Sequence, residues 1–105
     1  MSEVLNYEIL AEQLNTTFTL TETTEPFELE LIEISEPTVT PYQIYFSLFF
    51  RGDKEFKLPQ GSYQMTHERL GTVILFIVPI ALESNGFKYE AVFNLTKEAS
   101  GKSSD

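Results

Sequence analysis

His67 is the single histidine in a chain of 105 residues that has no cysteine. Base or nucleophile chemistry would have to run through that one imidazole, with Glu68 or Glu90 as the carboxylate that orients it. His67 ends the alternating stretch "SYQMTHE", shares a face with Tyr63 and Met65, and stands beside the tight turn "HERLG". It can serve there as a general base or a pH-sensitive contact. It can also simply satisfy backbone groups of its own turn, and the residue types favour that role. No catalytic residue is therefore assigned, and an enzyme is not expected. One imidazole without a thiolate is too few ligands for a zinc site. The 16 acidic residues show no EF-hand spacing, and no glycine-rich phosphate loop occurs, so no metal and no cofactor are expected either.

Two further stretches look like sites. "RGD", residues 51–53, closes a strand; Gly52 is expected to supply a turn conformation, and Arg51 to pair with Glu28, Glu30 or Glu33 across a sheet. "LPQG", residues 58–61, has its backbone restricted by Pro59, and Gly61 is expected to take an unusual dihedral before the next strand. Both read as ordinary turns. The sequons at Asn15 and Asn94 carry meaning only in a secreted protein.

Charge is distributed unevenly. Residues 1–50 hold nine Glu and no Lys or Arg, while residues 51–105 hold seven acidic and seven basic residues, for a net charge of −9. An acidic first half repels phosphate, so nucleic acid and anionic membranes are not expected partners. The first residues show no basic and apolar signal-peptide pattern, and Val73–Leu82, broken by Pro79, is too short for a membrane helix. A cytoplasmic protein is the expectation.

The elements that position these residues follow from periodicity. "NYEILAEQL", residues 6–14, reads as a short helix with Asn6 as N-cap and Asn15 as its left-handed end. Six strands follow, in residues 16–21, 27–36, 42–51, 62–68, 72–82 and 87–95. A phase slip at Leu31-Ile32 predicts a β-bulge. "EPTVTP", residues 36–41, reads as a connection, and Asn85-Gly86 as a hairpin turn with positive φ angles. The pattern predicts a mainly β protein: a six-stranded antiparallel curled sheet or small barrel with one short N-terminal helix. Residues 1–96 are expected to form a single barrel-like domain, and 97–105 a disordered tail.

Strands 42–51 and 72–82 are apolar on both faces, so one face of each needs a cover. Tyr45 and Phe49 are where that cover, the N-terminal helix, a second layer or another subunit, is expected.

The motifs "LNYEILAEQLNTTFTL", "FELELIEISE", "FSLFFRG", "LPQGSYQMTHERLG", "LFIVPI" and "YEAVFN" resemble a family of short bacterial proteins known only as a domain of unknown function. The resemblance spans roughly residues 5–94; the family normally has Gly where this chain has Asn15. Its members are often encoded beside phage-tail-collar-like fibre proteins, which implies an accessory or assembly role and supplies no catalytic residues. The expected function is a non-catalytic protein-protein interaction or assembly module, with Tyr45, Phe49, Arg51, Glu28, Glu30, Glu33 and His67 as candidate surface. Its expected partner is a protein, of fibre or tail-like type if the resemblance transfers, or a further copy of the chain. A barrel holding an apolar ligand among Phe46, Phe50, Tyr63 and Phe93 is the alternative, and an enzyme using His67 comes third.

Overall fold

The computed structural model describes residues 7–21 and 27–96. One helix, α1 (Tyr7–Ala11), precedes seven strands: β1 (Thr17–Leu20), β2 (Phe27–Ile34), β3 (Thr38–Val39), β4 (Gln43–Gly52), β5 (Gly61–His67), β6 (Gly71–Glu83) and β7 (Gly86–Thr96). All pairings are antiparallel. They run β2-β1-β5-β6-β7-β4, and β2 pairs again with β4, so six strands close into a barrel; β3 adds to the β4 edge. Closure leaves few unpaired edges, the usual hazard of an all-β chain.

Alternation decides what points inward. Phe18 and Leu20 of β1, Leu29 and Leu31 of β2, Phe46, Leu48 and Phe50 of β4, and Val73, Leu75 and Ile77 of β6 are all buried in one core. The predicted bulge is present: the β2–β4 register shifts between Leu31 and Glu33, so Ile32 is the extra residue and Ile34 returns to the inward side. A second shift, between Pro79 and Ala81, bends β6 against β7.

Both ends of the barrel are stoppered. At the end where β4 begins, Tyr7 of α1 meets Phe46 edge-on at 5.3 Å, and Leu10 is buried. The helix is shorter than its periodicity predicts, because residues 12–15 tighten into a turn. Asn15 ends that turn with φ 69° and donates its N–H to the Leu31 carbonyl at 2.7 Å. Asn6, the expected N-cap, and the tail 97–105 lie outside the described residues. At the other end the 53–60 segment folds back, burying Leu58. The Leu58 N–H donates to Tyr89 Oη at 2.9 Å, and burial of that phenol pushes its pKa above the ordinary value.

Several local expectations change. Thr38–Val39, read as part of a connection, is a short strand against Ile44 and Tyr45. Gly52 is not a turn residue: it lies buried in β4, where a Cβ would stand 2.8 Å from Leu29 Cδ2. Space, not dihedral freedom, explains that glycine. Gly61 opens β5 without a positive φ, and Asn85 also lacks one; Gly86 alone in that hairpin has it, at 147°. The side chain that a residue other than glycine would place at 86 collides with the Gly52 carbonyl. Gly71, with φ 77°, closes the three-residue "ERL" reversal between β5 and β6.

Candidate functional site

The outer surface of the barrel divides by charge. On β2, β4 and β7 the outward residues are Glu28, Glu30 and Glu33, then Tyr45, Ser47, Phe49 and Arg51, then Lys88, Glu90 and Val92. Six of the seven candidate surface residues therefore share one face. Arg51 pairs with Glu30 at 3.4 Å, one of the three partners expected from the sequence. Lys88 reaches Glu33 at 3.6 Å and lies 4.9 Å from the Phe49 ring centroid, a cation–π contact. The Ser47 hydroxyl donates to Glu90 Oε2 at 2.7 Å, and Tyr45 Oη donates to Gln43 Oε1.

Tyr45 and Phe49 are thus half-buried by neighbours in the same sheet. The cover expected over them is local: β3 runs beside Tyr45, and the Lys88 ammonium lies over the Phe49 ring. This face has satisfied most of its own polar and aromatic groups. "RGD" belongs to the same economy, with Arg51 in an ion pair, Gly52 buried, and Asp53 Oδ1 accepting the Glu55 N–H at 2.8 Å.

His67 stands apart from the other six. It is buried at the α1 end of the barrel, its ring 4.4 Å from that of Phe18. Nδ1 accepts the N–H groups of Arg69 and Leu70 at 3.0 and 3.2 Å, the turn-satisfying role anticipated from "HERLG". That assigns the ring proton to Nε2, which donates to Thr16 Oγ1 at 2.7 Å; Thr16 in turn donates to the Gln13 carbonyl at 2.6 Å. Desolvation by burial lowers the His67 pKa, the Glu68 carboxylate opposes that, and the Arg69 cation adds to it. A cleft of about 360 Å³ opens beside it, lined by Glu12, Gln13, Thr17 and Arg69 among others. Glu90, the more distant carboxylate proposed to assist His67, points outward on β7 and bonds Ser47 instead. Among the described residues, no group of three or more metal-ligating side chains converges.

The remaining outer surface, on β1, β5 and β6, is of another kind. Thr17, Thr19, Ser62, Gln64, Thr66, Thr72, Ile74, Phe76 and Val78 point outward, and none is charged. Threonines 19, 66 and 72 form one row across three strands, while Ile74 and Phe76 stand opposite Gln64 and Ser62. Ile74 is 68% exposed and Phe76 51%. Val92, opposite Ser47 on the outer face of β7, is 65% exposed. The requirement that both faces of 72–82 be buried is thus not met: no described element covers the outer one, because α1 stoppers the barrel end instead of lying along its wall. The signal was in "TVILFIV", where the second face lacks the polar residues that alternation puts in water.

Among the described residues, no helix is long and apolar enough to cross a membrane. No curated protein and no solved structure matches this chain. A family profile does match, over residues 5–93, which is most of the barrel and α1. The chain belongs to the family described as "Domain of unknown function (DUF6916)".

Proposed function

We propose that the protein is a non-catalytic protein-protein interaction module with an accessory role in assembly, and that it docks through the uncharged outer face of β5 and β6. The observation that carries this reading is the exposure of Ile74 and Phe76 next to each other on that face. Single exposed apolar side chains are ordinary on any surface; a contiguous set within a neutral rim is how docking surfaces are built. Both ring nitrogens of His67 are engaged in structural hydrogen bonds, which supports the non-catalytic part. Phe46 stacks on Phe93 at 5.2 Å and Phe50 meets Phe18 edge-on at 5.2 Å. These rings fill the interior against each other, so the ligand-holding barrel gains no support.

A bacterial module that attends a phage-tail-collar-like fibre protein is the form of this reading that the family resemblance implies, and the sequence expectation adds that it acts in the cytoplasm. In such a complex the acidic β2 side would stay in water and keep the assembly in solution.

The test is site-specific photo-crosslinking in the producing cell, with benzoylphenylalanine at position 76 and, for comparison, at Tyr42, which is 77% exposed elsewhere. Position 76 is expected to give one discrete protein adduct and position 42 none. No adduct from 76, or the same adducts from both, would remove the reading.

A further inference from the structure

We infer that the parting between β6 and β7 takes an extended, uncharged segment of a partner protein, which pairs there as an added strand. The inference rests on the interaction-module reading and gives the form of what docks beside Ile74 and Phe76.

Backbone direction is the first argument. β6 and β7 pair from Val78–Glu90 to Glu83–Gly86; before Val78, β6 follows β5, and after Glu90, β7 follows β4. The Ser47 N–H donates to Ser35 Oγ at 2.8 Å, and the Ser47 carbonyl accepts the Ser35 N–H at 2.9 Å. Both groups therefore face away from β7. Opposite residues of an antiparallel ladder exchange both bonds or neither. Val92, opposite Ser47, thus turns its N–H and carbonyl away from β4 into the parting, and alternation does the same for Asn94. On the other bank the Gln64 carbonyl accepts the Thr21 N–H at 3.1 Å, on the side away from β6. Ile74, opposite Gln64, accordingly turns its backbone groups away from β5, as do Thr72 and Phe76. Among the described residues nothing pairs with that side of either strand.

Side chains are the second argument. The residues with unpaired backbone groups also carry the exposed apolar ones: Ile74 is 68% exposed, Phe76 51% and Val92 65%. A single strand in the parting accounts for both features. Its inward side chains would meet the buried Leu75 and Ala91, and its outward ones would stand beside Ile74, Phe76 and Val92. Such a segment is apolar on both faces and rich in β-branched or aromatic residues. Neither bank is guarded against it. Residues 72–78 and 91–96 hold no charge and no proline, and their ladders with β5 and β4 contain no bulge.

Other occupants fit less well. Residues 97–105, "KEASGKSSD", are polar and charged and supply no β-branched side chain. A lone strand has two edges, one for each bank, whereas the edge of a second barrel has one.

Panning a displayed library of random peptides against the full chain tests this, with peptides about eight residues long so as to span the parting. Enriched sequences are expected to be uncharged runs of Val, Ile, Thr and aromatic residues without proline. Val92→Pro removes an N–H that faces the parting and leaves the bonds to β4, so these peptides should bind it about tenfold more weakly or worse. Val92→Thr keeps that N–H and should bind as wild type does. Bound peptide should also slow hydrogen exchange at the Val92 and Asn94 amides. Should Val92→Pro unfold, Asn94→Pro replaces it.

The inference is overturned by a library that yields no enriched sequence, or by enriched peptides that hold Val92→Pro as tightly as wild type. Val92 and Asn94 amides already protected without peptide would overturn it too. So would an oligomer that Val92→Pro dissociates, since a second copy then occupies the edge. The two readings fail differently. Position 76 that crosslinks unchanged in the Val92→Pro chain sinks the added strand and keeps the docking face. No enriched peptide and no adduct from position 76 removes both.

Discussion

His67 Nε2 lies 2.7 Å from Thr16 Oγ1, and this bond ties the turn after α1 to the end of β5, joining residues 51 positions apart. Nδ1 already accepts two backbone N–H groups, so a second proton on the ring has nowhere to sit without displacing them.

The pH dependence follows from that arrangement. The folded pKa is lowered from the ordinary 6.5, chiefly by burial, so between those values the unfolded chain binds more protons than the folded one. This contribution to stability is full above about 6.5 and is lost as pH falls through the folded pKa. Urea midpoints at pH about 7.5 and about 5.5 are expected to fall for wild type, and less so for His67→Asn, whose Oδ1 can still accept in the place of Nδ1. Equal slopes for the two proteins would refute the assignment. With one histidine in the chain, its NMR titration reads the pKa without ambiguity.

Tyr89→Phe keeps the ring in the core and removes the oxygen that accepts the Leu58 N–H. An orphaned buried donor costs about 1–3 kcal/mol, more than the loss of a neutral surface bond. Denaturant unfolding should show that drop with an unchanged m-value. A change below about 0.5 kcal/mol would mean that water replaces the phenol at Leu58.

Two glycines with positive φ separate dihedral strain from lack of space. Gly71→Ala meets only the strain, since nothing lies near its Cβ position, and is expected to cost about 1–2 kcal/mol. Gly86→Ala adds a collision with the Gly52 carbonyl between β7 and β4, and should cost well over that, about 3 kcal/mol or more. Similar losses for both would show that the hairpin shifts freely away from β4.

Tyr45→Ser/Phe49→Ser separates the two outer faces. Both side chains are half-buried within one sheet and contact Gln43 and Lys88. The double variant is expected to lose about 1–3 kcal/mol of stability while its solution mass follows that of wild type. A change of mass with stability intact would return the docking surface to β4.

Much of the barrel was legible in the chain because alternation is a local property. Phe18 and Leu20, or Phe46, Leu48 and Phe50, declare the inward side of a strand whatever strand lies beside it. The slip at Leu31-Ile32 is local too, and it marks the bulge that bends β2. The turn beside His67 was equally readable, since an imidazole two or three residues from free N–H groups has few other acceptors to compete with.

Other features needed the fold. Gly52 looks like a turn residue until β4 runs on through it and Leu29 fills the space beside it. The partnership of His67 with Thr16 joins distant parts of the chain, and no spacing rule announces it.

By itself the sequence determined a mainly β chain with a helical start, the inward face of each strand, an acidic first half, and a single histidine with no cysteine. Only the tertiary structure decided which outer faces are covered. A strand's pattern records that a face is apolar, whereas its burial depends on which element closure brings against it. Closing six strands left β3 and Lys88 over Tyr45 and Phe49, sent α1 to the barrel end, and left Ile74 and Phe76 in water.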